Sequence, residues 1–437
     1  MSASASRRDF LRTSLTAAAA AGLAADATPA PASTADQAPV PKAAARAPLA
    51  EGDPIRMAVI GTGGMGTAHC ESFLRLASQG LAKVQISALA DVCQSRLERA
   101  KGIVAAAQGE VATFTDYAQL LKLPDLHAVL IASPEHWHGR MCEDAIRAGK
   151  DVYVEKPMTL NLADALRLRR VVQANPQVVF TVGTQYVFTP SYAAAKQLIA
   201  EGAIGTPVWS QTSYCRNSKD GEWTYYEIDP AWQPGVNLDW KAWCGPLGVV
   251  PWNPEIYARW RRYRKYSTGI IGDLLVHQIT PLVGALDLGW PTRVVASGGH
   301  YVDKAMENHD QVNITVEFGG MHTMVVAGST SNELGVEKVI RGNKANIYVG
   351  GATATLRPER LYADEIEERQ IPPAAEGIEV QDQLRLDWLE AIRARRPPRS
   401  DVELGTKVMV IVDLATRSIW EGGAFAFDPK TMTVRKL

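Results

Sequence analysis

The chain has 437 residues, enough for roughly two or three domains. Hydrophobic residues make up 46% and charged residues 21%, which excludes wholesale disorder, and 46 basic against 47 acidic side chains argue against a nucleic-acid partner. Five cysteines are too few for a disulfide scaffold, and no cysteine or histidine spacing indicates a metal site. No apolar run reaches the ~18 residues of a membrane helix, so we expect no stable membrane span.

The N-terminus has the pattern of an export signal. Residues 7–11 read Arg-Arg-Asp-Phe-Leu, as in twin-arginine signals, and the Ala-rich run 15–25 has the length of a signal core. An amphipathic helix or a disordered tail is the alternative. We predict a twin-arginine signal over residues 1–30, an Ala/Pro-rich linker over residues 31–53, and a periplasmic or otherwise exported protein.

A glycine-rich turn follows the first predicted strand, residues 55–60. Three glycines stand in the GxGxxG spacing, and a helical pattern continues to about residue 78. Such glycines permit the tight turn, the approach of a pyrophosphate and the packing of the helix on the strand, while the helix N-terminus offers N–H groups to phosphates. We therefore predict that the turn binds a dinucleotide through Gly61, Thr62, Gly63, Gly64, Met65 and Gly66.

Asp91 ends the second predicted strand, residues 84–89. It lies 25 residues after Gly66, close to the spacing of the acid that binds ribose hydroxyls in dinucleotide-binding folds. Because a carboxylate repels a 2′-phosphate, Asp91 favours NAD, with NADP as the alternative that Arg96 would assist. Asp91 could instead, or in addition, cap the following helix.

Alternating strands and helices continue along the first part of the chain. The strand 128–132 is a continuous apolar run, as buried parallel strands are, and it ends in 133–138. A further strand, 151–154, ends in 155–157. Such alternation implies a doubly wound parallel sheet, on which ligands bind at the carboxyl ends of the strands. The fold class is predicted as α/β, with a Rossmann NAD(P)-binding domain over residues 54–178.

These motifs resemble the Gfo/Idh/MocA family, named after glucose-fructose oxidoreductase and inositol dehydrogenase. The residues that carry the resemblance are the glycine-rich turn, Asp91, Ser133-Pro134-x-x-x-His138, Glu155-Lys156-Pro157 and Asp273-x-x-x-His277. The resemblance implies that Lys156 lies beside the nicotinamide and the reacting hydroxyl, and that the Lys156–Pro157 bond is cis. It also places a set of side chains against the cofactor: Ser133, Pro134, Glu135, Trp137, His138, Glu155, Lys156 and Gln185.

Two of these residues have plainer interpretations. Lys156 could be a surface lysine on a loop, and His138 could cap a helix. A lysine at a strand end near a cationic nicotinamide can nevertheless relay a proton, which agrees with the role that the resemblance implies.

The resemblance further implies a C-terminal α+β domain with a large, mostly antiparallel open sheet, here residues 179–437. Several predicted strands alternate polar and apolar residues, as a sheet with one wet face does. They are residues 208–214, 293–298, 311–318, 321–330, 337–342, 345–349 and 355–358, with terminal helices at about 379–396 and 403–420. This domain would bind the substrate and form a homodimer or tetramer.

Residues 217–266 are rich in tryptophan, tyrosine and arginine and too long for a featureless loop. Aromatic faces stack on sugars, and guanidinium groups bind hydroxyls. Packing and subunit contact are the alternative. We predict substrate contacts by Tyr186, Trp260 and Arg261.

Asp273 and His277 begin a predicted helix and share one face at the i, i+4 spacing. An imidazole suits removal of a hydroxyl proton as hydride leaves the same carbon, and the aspartate can orient it or bind a neighbouring hydroxyl. The alternative is an N-cap aspartate with a core histidine. Lys156, Asp273 and His277 are the predicted catalytic residues, and all three are expected to touch the substrate.

The sequence therefore favours an exported NAD(P)-dependent oxidoreductase. It would act on a secondary or anomeric hydroxyl of a sugar, glycoside or cyclitol, with a retained cofactor because free nicotinamide cofactor is not expected outside the cytoplasm. Two alternatives stay open: an NAD-dependent glycosidase that works by transient oxidation and elimination, and a non-catalytic sugar-binding relative. Lys156 counts against the first, and the intact set of Lys156, Asp273 and His277 counts against the second.

Overall fold

The computed structural model describes residues 40–373 and 377–437. The predicted signal, residues 1–30, and residues 31–39 of the predicted linker lie outside the described residues. The rest of that linker, residues 40–53, contains no helix or strand. It is nevertheless anchored, because the backbone N–H of Ala43 donates to Asn175 Oδ1 and that of Ala44 donates to the carbonyl oxygen of Arg147, both at 2.8 Å.

The first half of the described chain alternates strands and helices. These are β1 (Ile55–Ile60), α1 (Gly64–Ser78), β2 (Val84–Ala90), α2 (Gln94–Gln108), β3 (Ala112–Phe114), α3 (Tyr117–Leu120), β4 (Ala128–Ile131), α4 (Glu135–Arg147), β5 (Asp151–Glu155), α5 (Leu162–Gln173) and β6 (Phe180–Gly183). The six strands pair in the order β3-β2-β1-β4-β5-β6, all parallel. The carboxyl ends of β1, β2, β4 and β5 therefore meet at one edge.

The second half builds a ten-stranded sheet. Its elements are α6 (Pro190–Ala200), β7 (Pro207–Cys215), α7 (Trp240–Cys244), α8 (Pro254–Ala258), a π-helical turn (Ile271–Leu275), α9 (Val276–Leu286), β8 (Arg293–Gly299), β9 (Gln311–Phe318), β10 (His322–Ser329), β11 (Val339–Gly342), β12 (Ala345–Tyr348), β13 (Ala354–Pro358), β14 (Arg369–Ile371), α10 (Val380–Ala394), α11 (Val402–Glu421), β15 (Phe425–Asp428) and β16 (Thr433–Lys436). The order is β14-β13-β12-β11-β7-β10-β9-β8-β15-β16, and only β7 and β10 pair in parallel. The predicted α/β fold with a mostly antiparallel second sheet is confirmed.

One face of the second sheet is buried, and the other is more exposed to solvent. Along β9, Val312, Ile314 and Val316 are buried while Asn313 between them is exposed, which is the period of two expected for such a sheet. Helix α11 covers the buried side, where Ser418 donates to the carbonyl oxygen of Ala296 in β8.

Helix α10 belongs to the C-terminal part of the sequence but packs on the first sheet. Its Leu384 and Trp388 share a buried cluster with Phe73 of α1 and Tyr153 of β5. The aromatic ring of Trp388 lies 5.6 Å from that of Tyr153. The last part of the chain therefore helps to hold the N-terminal domain.

The helix that contains Asp273 and His277 differs in detail from its prediction. It begins with the π turn Ile271–Leu275 and continues as α9, so Asp273 lies inside the helical segment and not at its N-cap. Among the described residues, no helix combines the length and apolarity needed to cross a bilayer. All five cysteines lie in the described part of the chain as free thiols, and all except Cys215 are buried.

Candidate active site

The glycine-rich turn is closed on its protein side and open on the other. Gly61 has a φ of +87°, and a Cβ there would lie 2.7 Å from the backbone nitrogen of Ser133. A Cβ on Gly66 would lie 1.8 Å from the carbonyl oxygen of Gly61, whereas one on Gly64 would meet nothing within 4 Å. The turn thus leaves an open space at the N-terminus of α1, where N–H groups attract anions.

Asp91 stands at the end of β2 and faces this space. Its Oδ2 accepts the backbone N–H of Thr62 at 2.7 Å, and its Oδ1 accepts the N–H of Cys93 at 2.8 Å. Burial raises the pKa of Asp91, although Arg96 and these N–H groups act in the opposite direction. The N-cap position of α2 is Cys93, and no side chain caps this helix. Asp91 bonds the N–H of Cys93 itself and therefore does not cap α2.

One cleft of about 820 Å³ contains most of the predicted residues. Those that line it are Gly61, Gly63, Gly64, Met65, Asp91, Ser133, Pro134, Trp137, His138, Glu155, Lys156, Gln185, Trp260, Arg261, Asp273 and His277. Four predicted residues do not line it, namely Thr62, Gly66, Glu135 and Tyr186. Thr62 and Gly66 shape the turn from behind.

Glu135 lies behind the wall of the cleft. Its Oε1 accepts the hydroxyl of Ser267 at 2.6 Å, and burial raises its pKa to about 8. The carboxyl group therefore ties the end of β4 to the loop that precedes the π turn, and it is not presented to a ligand in the cleft.

Lys156, Arg261 and Asp273 form a compact ionic cluster at one end of the cleft. Lys156 Nζ donates to Asp273 Oδ1 and to the backbone oxygen of Asp273, both at 2.8 Å. Arg261 Nε donates to the same Oδ1 at 2.8 Å. Burial alone would raise the pKa of Asp273, but the charges of Lys156 and Arg261 hold it well below its usual range. Asp273 is therefore a fixed anion that orients two cations.

His277 lies beside this cluster with an unused nitrogen. Its Nδ1 is buried and has no hydrogen-bond partner among the described residues. Burial, and then the charge of Lys156, lower the pKa of His277 to about 3. The imidazole is therefore neutral near pH 7 and free to accept a proton. Tyr186 does not line the cleft but packs against His277, with the two ring centroids 5.4 Å apart.

The Lys156–Pro157 peptide bond is cis, as the resemblance implied. His138 supports the same turn, because its Nδ1 lies 2.7 Å from the carbonyl oxygen of Pro157 and its Nε2 lies 2.8 Å from that of Ser133. Both ring nitrogens of His138 are thus occupied. The histidine links the ends of β4 and β5 and does not cap α4.

The aromatic region 217–266 closes over the other end of the cleft. The backbone N–H of Asp239 donates at 2.9 Å to the carbonyl oxygen of Val92, a residue that lies just after the end of β2. Arg96, which also lines the cleft, has its guanidinium 4.6 Å from the ring centroid of Tyr257 and 5.1 Å from that of Trp232. Aromatic residues of the second part of the chain therefore reach the Asp91 end of the site.

Sequence reasoning missed Arg216 and the buried Glu222 behind it. Arg216 lines the cleft, and its two terminal nitrogens donate to the hydroxyl of Tyr214 at 2.7 Å and to Glu222 Oε1 at 3.0 Å. Arg216 comes directly after strand β7. The alternation of polar and apolar residues predicts where that strand ends, but the end of a strand does not by itself indicate a ligand. Among the described residues, no group of His, Cys, Asp and Glu could hold a metal ion.

Two family profiles match successive parts of the chain. Residues 55–184 match "Oxidoreductase family, NAD-binding Rossmann fold", and residues 196–426 match "Oxidoreductase family, C-terminal alpha/beta domain". The chain belongs to the Gfo/Idh/MocA oxidoreductase family. The glycine turn, the strand-end acid and the Glu-Lys-Pro turn occupy the NAD-binding part of this family fold.

Curated relatives in the Gfo/Idh/MocA family include inositol dehydrogenases. Inositol 2-dehydrogenase 1 of Saccharopolyspora erythraea is 33% identical over 154 residues, which cover 35% of this chain and 44% of the relative. The scyllo-inositol 2-dehydrogenase (NAD(+)) of Bacillus subtilis is 31% identical over 155 residues, 36% of this chain and 43% of the relative. The matches thus span less than half of these relatives.

Solved structures share the fold over most of the chain. A levoglucosan dehydrogenase in complex with NADH has a TM-score of 0.66 at 19% identity, covering 86% of this chain and 99% of the other. An NAD binding oxidoreductase from Klebsiella pneumoniae has a TM-score of 0.64 at 22% identity, covering 85% and 99%. At these identities the likeness concerns the two-domain fold.

Proposed function

We propose that this Gfo/Idh/MocA chain is an NAD-dependent oxidoreductase that oxidises a secondary or anomeric hydroxyl of a sugar, glycoside or cyclitol. The observation that carries the proposal is the position of neutral His277 beside the Lys156–Asp273–Arg261 cluster, in the same cleft as an open glycine turn. A proton acceptor and a dinucleotide cradle in one cleft are what hydride transfer from an alcohol requires.

The residues of the cleft fit a dinucleotide. The open space beside Gly63 and Gly64 would accept the pyrophosphate at the N-terminus of α1, and Asp91 has acceptor capacity left for a ribose hydroxyl. The carboxylate also disfavours a 2′-phosphate, which supports NAD over NADP. Bound NAD supplies the acceptor for the hydride.

We assign different roles in the proton chemistry to His277 and to the ionic cluster. His277 takes the hydroxyl proton, because its imidazole is neutral and its side chain lines the cleft. Asp273 holds the Lys156 ammonium group in place. From there Lys156 can donate a hydrogen bond to an oxygen of the substrate and relay a proton. Arg261 and Trp260 form the substrate wall, where the guanidinium carbon lies 4.2 Å from the indole centroid.

We further propose export, cofactor retention and assembly into a homodimer or tetramer. The Arg-Arg-Asp-Phe-Leu sequence at residues 7–11 supports export. The contacts that region 217–266 makes beside the ends of β2 and β4 support retention. With a retained cofactor, one sugar is oxidised and another carbonyl is reduced on the same bound cofactor. Export is tested by replacing Arg7→Lys and Arg8→Lys together, which should leave the protein in the cytoplasmic fraction.

The decisive experiment uses purified full-length protein. Denaturation should release NAD or NADH, identified by absorbance and mass, and a panel of sugars and cyclitols should reduce the bound or added NAD. Aryl glycosides serve as the comparison, since release of the aglycone would indicate the glycosidase instead. Protein that neither contains nor binds a nicotinamide dinucleotide would contradict the proposal.

A further inference from the structure

A chain of hydrogen-bonded, buried polar side chains runs behind the cleft from Glu155 to helix α10. His69 Nε2 lies 2.8 Å from Glu155 Oε1, and Arg385 Nε donates to His69 Nδ1 at 3.1 Å. Arg385 is held in turn by Asp382, whose Oδ1 accepts its Nη1 at 2.6 Å. All four side chains are buried, and His69 is completely inaccessible. Such a network requires a defined donor and acceptor at each step.

The direction of these hydrogen bonds follows from the guanidinium. An arginine side chain only donates, so Nδ1 of His69 must accept and its Nε2 must carry the hydrogen. Nε2–H therefore donates to Glu155, whose other oxygen accepts the backbone N–H of Lys156 at 3.2 Å. Both oxygens of Glu155 thus face donors, which is the environment of a carboxylate and not of a carboxylic acid.

The electrostatic setting agrees with this assignment. Burial alone would raise the pKa of Glu155, but the hydrogen bond from His69 and the nearby charge of Lys156 lower it overall. Burial lowers the pKa of His69, although the hydrogen bond and the charge of Glu155 act in the opposite direction.

The packing leaves Glu155 little freedom to turn away. A Cβ on Gly183 would lie 2.9 Å from Glu155 Oε1, and the ring of Tyr153 lies 5.3 Å from that of His69. Helix α10 is pressed against the same place by Trp388, which is fully buried. The carboxylate is therefore fixed in position by residues from α1, β5, β6 and α10.

Glu155 itself lines the cleft next to Lys156. If hydride transfer occurs at the ionic cluster, the nicotinamide must lie at this end, because the hydroxyl that loses its proton there also loses its hydride. The nicotinamide ring carries a positive charge when oxidised and none when reduced. A fixed buried anion nearby stabilises the charged form relative to the neutral one.

We propose that His69 and Arg385 are positioning residues that hold Glu155 as a carboxylate beside the nicotinamide, so that the protein binds NAD⁺ in preference to NADH. The inference rests on the proposed function, since it assigns the nicotinamide to the Lys156 end of the cleft. Its consequence is that bound NADH is a stronger reductant than free NADH, which suits the reduction of a second carbonyl.

The test measures the ratio of the two affinities. NAD⁺ competes against NADH, whose fluorescence is excited through the protein's tryptophans, in the full chain and its variants. His69→Leu and Arg385→Met should lower the preference for NAD⁺ by about tenfold, because Glu155 then loses its donor or that donor loses its orientation. His69→Gln should restore most of the preference, since its amide can donate from a similar position.

Arg393→Met is the matched control, because Arg393 is an exposed residue on the same helix α10 and donates only to backbone oxygens of Asp53 and Lys83. It should leave the ratio unchanged. Glu155→Gln tests the anion directly and should reproduce the loss. Circular dichroism checks that each variant is folded.

Equal losses of NAD⁺ and NADH affinity in folded His69→Leu and Arg385→Met would overturn the inference, as would an unchanged ratio in Glu155→Gln. If His69→Leu does not fold, the Arg385→Met and Glu155→Gln ratios decide. A wild-type chain that binds neither dinucleotide would be a failure of the proposed function, which the same titration reveals separately.

Discussion

The indole Nε1 of Trp137 donates to the backbone carbonyl oxygen of Trp243 at 2.9 Å. Trp137 lies on α4, directly after the strand end that faces the cofactor cleft, and Trp243 lies on α7 in the aromatic region. His136 reaches the same carbonyl oxygen at 2.8 Å. A Cβ on Gly245 would lie 2.3 Å from the Trp137 ring, so the two segments are in close contact. The aromatic region is thus fastened to the dinucleotide-binding domain.

Trp137→Phe should make the cofactor leave faster. Phenylalanine keeps an aromatic ring in the cleft but cannot donate to the Trp243 carbonyl, and a hydrogen bond contributes ~1 kcal/mol, or about fivefold in rate. Release of NADH is followed by stopped-flow fluorescence after addition of excess NAD. Trp252→Phe is the control, since Trp252 belongs to the same region but does not line the cleft. Equal release rates in the two variants would contradict a role for this contact in retention.

Asp273→Asn should reduce turnover by about 100-fold or more, in the range of losses seen when general acid–base machinery is disturbed. The amide has nearly the same shape but no charge to hold Lys156 and Arg261. Initial rates of NAD reduction with a sugar substrate measure the effect. Asp287→Asn, at the exposed end of α9 in a left-handed conformation that asparagine tolerates, should retain wild-type rates. Near-normal turnover in Asp273→Asn would exclude the cluster from the chemistry.

The pH profile of sugar oxidation should lack an acid limb near pH 6.5. Burial and the charge of Lys156 lower the pKa of His277 to about 3, so the imidazole can accept a proton throughout the neutral and mildly acidic range. We expect kcat/KM to stay level as the pH is lowered from about 7 to about 5. A fall with an apparent pKa near 6.5 that disappears in His277→Gln would show that His277 titrates normally.

His136 and His277 should each make the folded protein less stable as the pH is lowered through the same window. The pKa values of His136 and His277 are lowered by burial to about 4 and about 3, whereas the unfolded chain protonates each near 6.5. The unfolded state therefore binds more protons below pH 6.5, and the free energy of unfolding decreases by at most ~1.4 kcal/mol per pH unit for each histidine. Urea unfolding at pH 7, 6 and 5 measures this slope. His277→Gln should have a shallower slope, and an unaltered one would argue against the buried neutral imidazole.

Local patterns predicted which motifs meet at one edge of the first sheet. The glycine turn, Asp91 and the Glu-Lys-Pro turn follow apolar strands directly, and parallel strands bring their carboxyl ends to one edge. That rule needs no knowledge of distant contacts. Predicted strands of the second sheet also appear, because alternation reports a half-buried surface without specifying the neighbour.

Long-range contacts could not be predicted in the same way. Arg385 and His69 are 316 positions apart, and neither has a local pattern that indicates the other. The amphipathic pattern of α10 indicates a buried face but not that this face packs on the first sheet. The parallel pairing of β7 with β10 and the short strand β14 likewise depend on where the chain returns. Glu135, within a motif expected at the cofactor, instead accepts a hydrogen bond from Ser267, 132 positions along the chain.

The anchored segment 40–53 changes where a working version of this protein has to begin. A shortened chain starting at residue 54, the first residue of the predicted Rossmann domain, would strip Asn175 of its contacts with Ala43 and Pro41 and would remove Arg46 from Asp151. Gly149, where any side chain would lie 2.5 Å from the carbonyl oxygen of Ala44, would be left beside a gap. For recombinant production, a chain that keeps these contacts therefore has to begin well upstream of the first strand.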